Sequence, residues 1–348
     1  MFTKRYSKTV DWSETYRAGS LGEWRSLYEV RAAFDFLLVI VLLGFLIAAI
    51  LIRKRGMKRG IVLFVPLVMS LIAYTLSNFF SAIIDCIYLT DATVKLAIEL
   101  VFILEDFTDL FALCTIMYLL YWIINHFQMR STGRVSDGLH LFHGIIFGLL
   151  GVICVVELAL YIGYTVTTYE YSKWSVPWHW VQCTRRLAFF VASLEIVIWA
   201  FCLVVRTSRN DRQAKPTALV FLLASFGFFA MNVMWAIITI QWDIIVYLGY
   251  IRTHPRWIYY FQIVFPYLCM VVIYLGMLLS CKQLASLEGV DGFDIQTPRV
   301  YPTTTYQNPY TNSLDVESRP MVRDPSQELL GAGSRPIHEA GVDHRFRL

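Results

Sequence analysis

The run from residue 97 to residue 127 is largely apolar, yet it carries Glu99, Glu105, Asp106 and Asp109. A charged side chain at the centre of a membrane helix costs about 2.5–3.5 kcal/mol on insertion scales, so carboxylates here imply ion pairs or a site for a positive ligand. At 3.6 residues per turn Glu105 and Asp109 share a face, Asp106 adjoins Asp109, and Glu99 aligns with Asp106. At 1.5 Å per residue Asp109 lies about 15 Å beyond Glu99, which brings it close to the middle of a bilayer. The pattern suits electrostatic binding of a small cationic ligand, a metal ion or protons.

Five more acids fall in or at the ends of other apolar runs: Asp35, Asp85, Glu157, Glu195 and Asp243. All of them are expected at the midplane or to the outer side of it. One reading pairs them with Arg31, Lys95, Arg185, Arg186, Arg252 and Arg256 as structural bridges, whose net contribution is often small. The other lines a water-filled outer cavity with Glu105, Asp106, Asp109, Glu195 and Glu157. An aromatic stretch over 169–183 includes Trp178 and Trp180. Its residues fit an interfacial belt, or a lid that holds a cation against its rings.

The elements that must position these groups follow from composition. The chain has 348 residues, of which 57% are hydrophobic and only 16% charged, against roughly 25% charged in a soluble domain; its mean hydropathy is +0.54. The bilayer is therefore the solvent. About 20 apolar residues span its core, and seven segments qualify, at 32–52, 61–89, 97–127, 141–168, 186–206, 217–249 and 258–281. The fold expected is an all-α integral membrane protein, a seven-helix bundle over 32–284. An amino-terminal segment, 1–31, precedes it, and a tail over 285–348, rich in Pro, Gly, Ser and Thr, is expected to be disordered.

Loop charge sets the expected orientation. Arg53, Lys54, Arg55, Lys58, Arg59, Arg130, Arg134, Arg206, Arg209, Arg212 and Lys215 make eleven on one side, against six on the other: Lys95, Lys173, Arg185, Arg186, Arg252 and Arg256. The excess assigns the first side to the cytosol, with the amino terminus outside and the tail in the cytosol. The plasma membrane is the default location, with another endomembrane as the alternative.

Among the seven cysteines, Cys86 and Cys183 fall on the outer side and make a candidate disulfide, while Cys281 beside Lys282 is a lipidation candidate. His126, His140 and His143 fall at the inner ends of their helices with no carboxylates expected nearby, so no metal site is assigned. Pro66 and Pro266 are expected to kink their helices. No zinc-hydrolase, serine-hydrolase or nucleotide-binding signature is present, so no enzyme activity, catalytic residue or cofactor is expected. The net charge of +4 is spread through loops and gives no nucleic-acid footprint.

Seven helices, an outside amino terminus, a candidate outer disulfide and a tail rich in Ser, Thr and Tyr resemble the layout of G-protein-coupled receptors. The motifs differ. The third helix ends Asn125-His126-Phe-Gln-Met-Arg130 without an acidic-Arg-aromatic triplet, and Pro266 follows Phe instead of Asn. No proline follows Trp235, and Cys86 is on the second helix. The expected function is a receptor-like protein with an acidic outward pocket. The alternatives are a proton-coupled secondary transporter and a membrane organiser that recruits cytosolic proteins through its tail.

Overall fold

The computed structural model describes residues 15–17, 24–54, 61–90, 93–95, 98–132, 137–166, 171–210, 213–244 and 256–291. The chain divides into two units, 1–294 and 295–348. The second lies outside the described residues, and with it most of the tail expected to be disordered.

Seven long helices make up the first unit: α1 (Arg25–Lys54), α2 (Ile61–Leu89), α3 (Glu99–Thr132), α4 (Asp137–Val166), α5 (Tyr171–Asn210), α6 (Lys215–Ile238) and α7 (Arg256–Asp291). All seven are long and apolar enough to cross a membrane, which marks a polytopic membrane protein. A helix satisfies every backbone polar group internally, as hydrocarbon demands. Two short strands, β1 (Thr15–Arg17) and β2 (Thr93–Lys95), pair antiparallel with Tyr16 opposite Val94. They tie the chain ahead of α1 to the α2–α3 connection.

Contacts run along the sequence, α1 on α2, α2 on α3, α3 on α4, α4 on α5, α5 on α6 and α6 on α7, and α7 closes against α1. Side-chain bonds join the start of α1 to the end of α2 and the starts of α3 and α7, so alternate helices run in opposite directions. The end of the bundle that holds the start of α1 is called upper here.

Apolar residues that would be buried in a soluble bundle face outward. Leu37, Ile40 and Ile47 on α1 and Leu149, Val152 and Val155 on α4 are exposed, a surface suited to lipid. Inside, the α6–α7 contact depends on small residues. A Cβ placed on Gly276 would stand 2.7 Å from the Ala224 Cβ, so glycine sets how closely these helices approach. Ser70 links three helices, donating to the Ala112 carbonyl at 3.3 Å and lying 2.8 Å from the Tyr274 hydroxyl.

Two boundaries differ from the sequence expectation in ways that affect function. The helix α5 begins at Tyr171 instead of 186. Its first turns pack aromatic rings on the end of α4, with Trp174 against Gly163 and Trp178 stacked on Tyr164 at 5.3 Å. That burial extends the helix through a stretch whose polar and aromatic composition resembles a loop. At the other end of its neighbour, α6 widens into a π-turn over Thr239–Ile244.

Candidate functional site: two arginines among buried carboxylates

The upper half holds the acids in two clusters on either side of α3. In the first, Arg31 and Asp35 occupy one face of α1 four residues apart, and Ser81 and Asp85 do the same on α2. The Arg31 guanidinium donates to Ser81 Oγ at 2.6 Å and to Glu105 Oε1 at 3.3 Å. Its Nε lies 3.4 Å from Asp85 Oδ2 and 4.0 Å from Asp35 Oδ2. Tyr267, which follows Pro266 on α7, donates its hydroxyl to Asp35 Oδ1. Asp35 and Asp85 are fully buried, whereas Arg31 keeps 39% of its side chain exposed.

The second cluster joins α3, α4 and α5. Arg185 donates through Nε to Glu157 Oε2, and its field reaches Asp106 and Asp109. Glu157 is fully buried and Arg185 nearly so. Below them the thiols of Cys114 on α3 and Cys154 on α4 lie 3.5 Å apart.

In each cluster three carboxylates face one arginine, and several of their oxygens have no hydrogen-bond partner. These are Asp35 Oδ2, both oxygens of Asp85, Asp106 Oδ2 and Glu157 Oε1. A buried carboxylate oxygen without a donor is costly. The two arginines thus leave part of the acceptor capacity of each cluster unused.

Helix α3 connects the two clusters. Its exposed stripe of Leu104, Phe107 and Phe111 faces outward. Asp109, two residues beyond Phe107 and so about 200° around the helix, turns to the interior. There it interacts with Glu105 of the first cluster and with Asp106 and Glu157 of the second. Asp109 is partly buried. Two apolar grooves, of about 650 Å³ between α5 and α6 and about 380 Å³ between α6 and α7, touch none of these carboxylates.

Glu105, Asp106 and Asp109 follow one another along α3, and Glu157 of α4 lies within the field of Asp106 and Asp109. Their positive partners are Arg31 and Arg185, both among the cations named from the sequence, and both lie within helices. Trp178 and Trp180 belong to α5 and not to a loop; Trp178 is packed on Tyr161 and Tyr164, while Trp180 is half-exposed beside His179. Cys86 and Cys183 are free thiols, because α2 packs on α1, α3 and α7 whereas α5 packs on α3, α4 and α6. Cys183 contacts His179 Nε2 at 3.8 Å instead. Cys281, the lipidation candidate, is fully buried in α7. Among the described residues no group of three or more His, Cys, Asp or Glu side chains is placed to hold a metal ion.

Glu195 is not part of the upper set. With α5 starting at Tyr171, Glu195 falls in the lower half, where it meets His143 of α4 and Tyr121 of α3. The sequence suggests an interfacial His143, but the residue is buried at 2% exposure. Its signal is a histidine one turn inside an apolar helix, uninformative until the depth of its partner is known. Arg186 forms a separate bridge, 2.7 Å from Asp243 Oδ2 and 4.8 Å above the Trp235 ring. The π-turn presents Thr239 and Asp243 to it.

Compared with protein-family models, with curated proteins and with solved structures, the chain matches none.

Proposed function

We propose that the chain is a receptor-like membrane protein that binds a small organic cation between the upper halves of its helices, without enzymatic activity. The observation that carries this reading is the excess of carboxylates, three to each arginine, of which Asp35, Asp85 and Glu157 are fully buried, with five buried oxygens left without hydrogen-bond donors. An ammonium group donates to such oxygens directly, and no preformed metal cage competes among the described residues.

Loop charge supports placing the upper end outside. Arg185 and Arg186 are paired inside the bundle and leave the loop count, so the bias toward the lower side becomes eleven against four. The ligand then enters from outside, with the plasma membrane as the default location. By competing for Glu157 and Asp106 it loosens the hold of Arg185 and shifts α5, whose lower end borders the α5–α6 loop. Residues 285–348 supply docking positions for cytosolic proteins.

Thermal unfolding of the purified protein with a panel of amines and inorganic cations tests this reading. The expected result is an amine that raises the melting temperature of the parent protein and has no effect on Asp106→Asn. Curves identical with and without every amine reject the pocket, and favour an organiser acting through its tail.

A second reading, a proton-coupled carrier, is favoured by the polar contact of Glu195 with His143 in the lower half, which continues the ionisable path beyond Asp109. It predicts uptake driven by a pH gradient in reconstituted vesicles.

A further inference from the structure

Below the two arginine clusters, four side chains from three helices form a hydrogen-bonded chain. Asn125 Oδ1 lies 3.1 Å from His143 Nδ1, His143 Nε2 lies 3.1 Å from Glu195 Oε1, and Tyr121 donates its hydroxyl to Glu195 Oε2 at 2.7 Å. The imidazole is fixed by its surroundings, stacked on the Tyr121 ring at 4.4 Å and edge-on to Trp199 at 6.4 Å. We propose that Tyr121, Asn125, His143 and Glu195 form a binding site for one exchangeable proton, held between Glu195 and His143, whose release parts α4 from α5.

The chemistry follows from which atoms can donate. An amide oxygen only accepts, so His143 Nδ1 carries a hydrogen directed at Asn125. That leaves Nε2 facing a carboxylate oxygen, and the contact requires one proton between them. The proton sits either on Glu195, as a carboxylic acid donating to a neutral imidazole, or on His143, as an imidazolium donating to a carboxylate. Both forms contain the same number of protons and the same hydrogen bond.

Release breaks the O–H or Nε2–H bond and delivers the proton to water. It leaves the Nε2 lone pair facing the Glu195 carboxylate with nothing between them, an arrangement that repels. Tyr121 still holds Oε2 on the α3 side, so the contact that opens is the one between α4 and α5.

The setting suits exchange with one aqueous phase. His143 lies six residues from the start of α4 at Asp137, about 9 Å along the helix, and Asn125 is near the end of α3. Glu195 keeps 20% of its side chain exposed and His143 only 3%, so the exit runs through Glu195. Within one turn of these four residues along their own helices, the other titratable groups are Tyr118 and His126 of α3 and His140 of α4. Among the described residues no lysine or arginine pairs with Glu195 or His143. This proton site stands whether or not the upper clusters bind a cation.

Nitrogen-15 NMR of histidine-labelled full-length protein in nanodiscs tests it, with the His143 signals identified by their loss in His143→Gln. The expected result is an Nδ1 that stays protonated throughout a pH titration of the folded protein and an Nε2 environment that changes as the single proton is released. Glu195→Gln abolishes that titration. Tyr121→Phe keeps the stacked ring but removes a hydrogen bond to the carboxylate, and tightens proton binding about tenfold. A His143 signal that does not titrate while the protein is folded overturns the proposal. So does a titration unchanged in both the Glu195 and the Tyr121 variants.

Discussion

Arg185 is the most informative residue to remove, because the geometry assigns it a different kind of role from its neighbour Arg186. Removing one partner of a buried ion pair costs about 3–5 kcal/mol, since the other charge stays behind. Arg186 faces one acid, Asp243, which is 25% exposed, so Arg186→Gln should cost less, about 1–3 kcal/mol. Adding Asp243→Asn should recover most of that loss, short of about 1 kcal/mol for the guanidinium over the Trp235 ring. Arg185 faces Glu157, Asp106 and Asp109, so Arg185→Gln should cost the full 3–5 kcal/mol or so. Here Arg185→Gln with Glu157→Gln should stay at least about 2 kcal/mol below the parent, because two carboxylates still lack a cation. Recovery should require Asp106→Asn and Asp109→Asn as well. Thermal unfolding in detergent, analysed as two double-mutant cycles, measures both. Full recovery in the Arg185–Glu157 double variant would refute the three-to-one arrangement and make this an ordinary pair.

Two further outcomes follow from packing. Gly276→Val should destabilise the bundle by about 1–3 kcal/mol, because even a Cβ meets Ala224 at 2.7 Å and the helices must part; Ala224→Gly in the same chain should restore part of the loss, and a melting curve unchanged by Gly276→Val would contradict the close approach of α6 and α7. Mild oxidation should join Cys114 to Cys154, whose sulfurs stand 3.5 Å apart, and should not join Cys86 to Cys183; peptide mapping by mass spectrometry distinguishes the two linkages.

The helices are legible in the sequence because the solvent they require leaves so strong a mark: an uninterrupted run of about twenty apolar residues is rarely anything but a membrane span. The grouping of Glu105, Asp106 and Asp109 is legible for the same geometric reason, since residues three and four apart on a helix must be neighbours. What escapes is which acid meets which cation. Helix order and tilt decide whether Glu105 meets Arg31 from α1 or some other cation, and no periodicity within α3 contains that information. The depth of Glu195 is misjudged from sequence because Trp174 and Trp178 pack on α4 and draw the start of α5 back by fifteen residues. A boundary displaced that far changes the depth of every residue counted from it, and it conceals the contact with His143. The cysteines fail in the same way: sequence tells which end of a helix Cys86 and Cys183 occupy, whereas bonding depends on which helices touch.

The length of α5 has a mechanical consequence. Its forty residues make a rod of about 60 Å, roughly twice the hydrocarbon thickness of a bilayer. Arg185 lies about 15 Å along this rod on one side of Glu195, and Asn210 about 22 Å along it on the other. If the rod pivots at Glu195, a tilt of about 10° moves Arg185 by roughly 3 Å and the lower end by roughly 4 Å in the opposite direction. The upper displacement is enough to break a hydrogen bond, and the lower one to reshape a loop. On such a pivot α5 would act as a seesaw whose fulcrum is the contact of Glu195 with His143 and Tyr121.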